Sequence, residues 1–145
     1  MPTEHCVNCD EGKPCGGYHL YVIEFRKEIE SEYVKKSEKG YLYVGMTGKS
    51  VEERFKDTYR LKDGTQLSIE EGRQRSEEKI WKYNTKNMRR IRRHYVRHRP
   101  DLFYKEYNPI EGGKEAAERR EKKLVQKLTN RGWKVEGPRE KEKIK

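Results

Sequence analysis

Two short runs, "YHLYVIEF" at 18–25 and "YLYVG" at 41–45, set what this chain can build. Both are dense in β-branched and aromatic residues, and both have the length of a strand. The segment between them, "RKEIESEYVKKSEK", is polar and long for a hairpin connection, and the simplest arrangement pairs the two runs antiparallel. Period-two alternation puts Tyr21, Ile23 and Phe25 on one face of the first strand, and Tyr41 and Tyr43 on one face of the second. Any core must be small, because only 31% of the 145 residues are hydrophobic while 41% are charged. Ten tyrosines compensate in part, since each buries a ring and keeps a polar tip. A chain of this length forms one domain.

The stretch after the second strand, "GYLYVGMTGKSVEERF", has a superficial likeness to a phosphate-binding loop. That loop needs a glycine five residues before Gly48, where this chain has Tyr43, so the spacing excludes it. Ser50 followed by Glu53 is instead a capping box that starts a helix at Val51. Val51, Arg54, Phe55 and Thr58 fall on one side of that helix, which sets an arginine in the inner stripe. Residues 61–78 are turn-rich and read as irregular. A longer, arginine-rich helix is expected from Glu77 to His98, ending before Pro100, and "LFYKEY" at 102–107 reads as a third strand. The last helix spans 114–130. Its inner stripe of Ala117, Leu124 and Leu128 has a glutamate at position 121, and a buried acid costs free energy unless it is paired or binds a cation. Gly132 caps that helix, and "WKV" can add a short strand.

The formal net charge is +10, which favours a polyanionic partner, nucleic acid first. Between Lys79 and Arg99 there are nine Lys and Arg residues and no acid. Lys49, Lys86, Arg89, Arg90, Arg92, Arg93 and Arg97 are the expected phosphate contacts, so affinity is expected to fall steeply with salt. His94 and His98, spaced one helical turn apart, are assigned to phosphate contacts or exposure rather than to a metal pair. No apolar run approaches a membrane span, and the expected location is intracellular, in the cytoplasm. All three cysteines lie in "HCVNCDEGKPC". Cys6, Cys9 and Cys15, with His5 as the histidine and His19 just beyond, are compatible with tetrahedral zinc; the other reading is a plain thiol-bearing tail.

Tyrosines on two strands, an arginine inside one helix and a glutamate inside a later one suit phosphodiester cleavage. A carboxylate holds a hard divalent cation, an arginine neutralises phosphate charge, and tyrosine hydroxyls orient or deprotonate water. In "HLYVI" (19–23), "YVG" (43–45), "VEERF" and "ERREKKLVQKL" the sequence resembles the GIY-YIG nuclease family over about residues 18–136. The resemblance implies an α+β fold, a small three-stranded antiparallel sheet flanked by helices, here with an arginine-rich helix added. Outside that span the sequence leaves a cysteine-containing segment at 1–17, a zinc knuckle or a flexible tail, and a charged tail at 137–145 that reads as disordered. The implied activity is DNA endonuclease cleavage with one Mg²⁺ or Mn²⁺ held by Glu121. Arg54 would bind the scissile phosphate, Tyr21 and Tyr43 would activate or position water in an order left open, and Gly45 would keep the site open beside Tyr43. Double-strand cutting by such domains often requires a homodimer. Thr58 and Lys134 stand where members commonly carry histidine and asparagine. The alternative is therefore a module that binds nucleic acid without cutting it, or a zinc-containing adaptor.

Overall fold

In a computed structural model, the chain is described at residue 6 and over residues 15–34, 36–102 and 108–137. The two aromatic runs form β1 (His19–Phe25) and β2 (Tyr41–Thr47), paired antiparallel through their full length. In that register Ile23 faces Tyr43 and Phe25 faces Tyr41, so the expected aromatic face is continuous across both strands. A 3-10 turn at Lys27–Glu32 occupies the long connection, and its Ile29 is fully buried.

Helix α1 (Val51–Thr58) begins where the capping box sets it, with the Ser50 side chain accepting from the Glu53 amide at 3.1 Å. A second capping box, Ser68 with Glu71, starts α2 (Ile69–Gln74) within the stretch expected to be irregular. The arginine-rich helix is shorter than its pattern suggests. Thr85 caps α3 (Lys86–His94), and the chain then straightens into β3 (Tyr95–His98). Helix α4 (Gly113–Asn130) lays Ala117, Leu124, Val125 and Leu128 against the sheet, and β4 (Lys134–Glu136) follows it.

The class is α+β, and the sheet corrects the expected one. It has four strands in the order β3-β1-β2-β4, with β1 antiparallel to both neighbours and β4 parallel to β2. The third strand is Tyr95–His98, not 102–107; Leu102 ends a 3-10 turn and 103–107 lie outside the described residues. Strand β3 reaches only the second half of β1. Toward the start of β1, Asn108 closes the edge: its amide donates to the Leu20 carbonyl at 2.7 Å and its oxygen accepts from the Leu20 amide at 2.8 Å. Among the described residues no helix is long and apolar enough to cross a membrane.

Candidate active site

The pleat and the β1–β2 register put Tyr21 directly opposite Gly45, with Tyr43 two residues along on the same face. The two tyrosine rings lie 6.1 Å apart between centroids, and both are buried. Gly45 is needed for Tyr21 rather than for Tyr43: a Cβ at position 45 would sit 2.5 Å from the Tyr21 hydroxyl oxygen. Close cross-strand approach of an aromatic ring is one reason a strand interior carries glycine.

The Tyr21 and Tyr43 side chains interact through their hydroxyls, and the Asn87 side chain at the start of α3 also reaches the Tyr43 hydroxyl. Burial pushes both phenols above their ordinary value. The positive charge of Arg54 lowers both, and the negative charge of Glu121 raises both, so the four groups form one electrostatic cluster drawn from β1, β2, α1 and α4. Asn87 was not legible as a site residue, because a polar residue in the first turn of a helix is ordinarily solvated.

Glu121 occupies the apolar stripe of α4 as its position implies, and it is only 7% exposed. No hydrogen bond or ion pair joins it among the described residues. Burial first, then the neighbouring charge of Glu118, pushes its carboxyl up to about 7, with Lys122 opposing. Glu118 itself is exposed, which separates the two acids. Arg54 is half-buried and lines an open hollow with Met46, Lys49, Asp57, Tyr83 and Thr85. In that hollow Lys49 donates to buried Asp57 at 2.6 Å while half of its side chain stays exposed.

The basic stretch from Lys79 to Arg99 is less available than its sequence suggests, because distant acids neutralise it. Glu32 accepts from Arg90 at 3.1 Å and lies 3.4 Å from Arg93. Arg90 also pairs with Glu136 at 2.9 Å, Arg93 also meets Glu77, and Arg97, on β3 rather than on the helix, pairs with Glu24 at 2.9 Å. Arg92 is a correction to the expected phosphate contacts. It is fully buried, stacks on Trp81 at 4.3 Å and donates to the carbonyls of Thr58 (2.7 Å) and Tyr83 (3.1 Å) and to the Asn84 side chain. Burial pushes its guanidinium down to about 10.

Lys86 and Arg89 keep partly open positions with no ion pair among the described residues. Arg119 and Lys123, on the outer face of α4, do likewise, and the sequence pattern did not single them out. His94 and His98 do not form a helical pair, since they lie on different elements. His94 is a buried neutral ring that accepts from Arg26 at Nδ1 (3.2 Å) and donates from Nε2 to Glu32 (2.6 Å); burial holds its pKa low against that carboxylate. His98 packs edge-on to Tyr21 and Phe55.

A second cluster stands at the start of β1. The ligand atoms of Cys6, Cys15 and His19 lie within 4.8 Å of one another, close enough to bind a metal ion. His19, just beyond the cysteines in sequence, is the histidine of this cluster among the described residues; His5 and Cys9 lie outside them. Comparison of the chain with protein-family models, curated proteins and solved structures finds no match.

Proposed function

We propose that this protein is a metal-dependent DNA endonuclease of the GIY-YIG type, and the observation that carries the reading is the single cluster of Tyr21, Tyr43, Arg54 and Glu121. Four separate elements contribute these groups, and Gly45 is shaped to admit one of them.

Glu121 fits a cation ligand. It is a buried carboxylate with no hydrogen bond or ion pair among the described residues, and that arrangement is unfavourable unless a proton or a metal neutralises it. Mg²⁺ or Mn²⁺ held there would supply Lewis-acid charge for phosphodiester hydrolysis. Arg54 presents its planar donors to non-bridging phosphate oxygens from the wall of the open hollow. The lone pairs of the paired Tyr21 and Tyr43 hydroxyls would accept from the attacking water and orient it. Burial keeps both phenols protonated at rest, so in this reading the pair positions water rather than serving as a standing base. The nucleic-acid path would run over Lys86, Arg89, Arg119 and Lys123, four of the cations that have no ion pair among the described residues.

Incubation of supercoiled and branched DNA with the protein at low salt tests the reading. Nicking or linearisation that requires Mg²⁺ or Mn²⁺ and stops with chelator is expected. Binding without cutting under both metals would replace the nuclease by a nucleic-acid-binding module.

A further inference from the structure

The cluster at the start of β1 shares no residue with the tyrosine–arginine–glutamate group. Cys6 and His19 are buried, and Cys15 is at the surface. Along an extended strand, Cys15 and His19 would stand about 13 Å apart. Gly16, with φ of +86°, turns the chain back in the left-handed region, and Cys15 Sγ comes to 3.3 Å from His19 Nε2. Cys6 Sγ is 3.9 Å from Cys15 Sγ.

Those separations have the size of the edges of a metal tetrahedron. Zinc bound at ~2.3 Å to sulfur and ~2.05 Å to nitrogen sets S···S at about 3.8 Å and S···N at about 3.6 Å. A disulfide would bring the sulfurs to about 2.05 Å, far inside the observed separation. A hydrogen bond between Cys15 and a packed histidine accounts for one edge. It does not account for a second sulfur at tetrahedral range.

His19 is also oriented as a ligand. Its Nδ1 lies 2.8 Å from the Lys49 carbonyl oxygen, which can only accept, so Nδ1 carries the proton. The lone pair is then on Nε2, the nitrogen that faces Cys15. A backbone carbonyl behind the far nitrogen is the usual support of a metal-bound imidazole. Two thiols with one imidazole suit zinc and not the hard cations that Glu121 would take.

We propose that Cys6, Cys15 and His19 supply three corners of one structural zinc site. The ion would join Cys6 and Cys15 to His19 at the start of β1 and, through the Lys49 carbonyl behind His19, to the turn that starts α1. Binding releases the two thiol protons to solvent, leaving two thiolates and a neutral imidazole on the metal, with no change of oxidation state.

The test is the metal content of the full chain, expressed with zinc and desalted, for wild type, Cys15→Ser and the Cys6→Ser/Cys15→Ser double variant. One zinc per chain in wild type, lost in the double variant, is expected. Cobalt exchanged into wild type is expected to give thiolate-to-cobalt charge-transfer absorption that Cys15→Ser abolishes. Cys15 is exposed, so its serine variant leaves the buried side chains in place, and circular dichroism verifies that it folds. Wild type without zinc, full zinc in the double variant, or a mass lower by two hydrogens that marks a Cys6–Cys15 disulfide would each overturn the assignment. None of these readouts depends on DNA cleavage, so the zinc site and the nuclease reading stand or fall separately.

Discussion

The ring of Tyr21 occupies the space that a side chain at Gly45 would need, directly across the β1–β2 ladder. The glycine is therefore part of the site and not merely a flexible link. Gly45→Ala is expected to push the ring out of line, and overpacking of this kind costs about 1–3 kcal/mol. Chemical denaturation checks the stability, and plasmid nicking checks the loss of cleavage by the fraction that remains folded.

Glu121 makes a pH prediction with a definite sign. Its carboxyl titrates near 7 when folded, against an ordinary value of 4.5, so between those values the folded chain holds the proton more tightly than the unfolded one. The metal-free protein therefore loses stability from this group as pH rises from about 4.5 through 7. Glu121→Gln is expected to remove that slope, and thermal melts of both proteins across the range measure it. A Mg²⁺ ion held by Glu121, as proposed, would have to displace the same proton, so its apparent affinity is expected to weaken below about pH 7, as titration calorimetry would show.

Glu32 has the opposite sign. Burial raises its carboxyl, but hydrogen bonds from His94 and Arg90, with the charge of Arg90, outweigh this and hold it below the usual range. Its stabilisation is present above about 4.5 and is lost as pH falls through the lowered folded value. Hydrogen bonds to charged groups are each worth ~1.5–3 kcal/mol, and Glu32→Gln is expected to cost about that much. The same change removes one of the two acids beside each of Arg90 and Arg93, which keep Glu136 and Glu77, so on the proposed reading DNA binding at low salt is expected to tighten modestly in a filter or anisotropy titration.

Arg92 and the cations on open faces are expected to fail in different ways. Arg92→Ala leaves the buried acceptors at Thr58, Tyr83 and Asn84 without their donor, at about 1–3 kcal/mol for a buried group left unsatisfied, and is expected to lower the melting temperature accordingly. Lys86→Ala, Arg89→Ala, Arg119→Ala and Lys123→Ala are expected to leave stability nearly unchanged. Wherever one of these side chains neutralises a phosphate, its removal lowers the slope of log affinity against log salt by about 0.9. Anisotropy titrations at several salt concentrations measure that slope.

The parts legible in the sequence are those with local causes. Ser50 with Glu53 fixes α1, the density of β-branched and aromatic residues fixes β1 and β2, and the interrupted apolar stripe points to Glu121. The Ser68–Glu71 box that starts α2 was equally readable, and Thr85 marks the true start of α3. Strand β3 was not, since its four residues have no period of their own. The partners that hold it are the edge of β1, with the Arg99 amide bonded to the Val22 carbonyl beyond the pairing. Neutralisation of the arginines was hidden for the same reason: Glu32 stands 58 to 62 residues before Arg90, Arg93 and His94. His19 was visible beside the cysteines, but its role depends on the Lys49 carbonyl 30 residues on.

The central claim is that Arg54 and Glu121 act on one phosphodiester. DNA binding and cleavage by wild type, Arg54→Ala and Glu121→Gln, measured side by side with Mg²⁺ and with Mn²⁺, tests it most directly. The account predicts metal-dependent cutting by wild type, and loss of cutting in both variants while each still folds and binds DNA. Cleavage that survives in Glu121→Gln would contradict it.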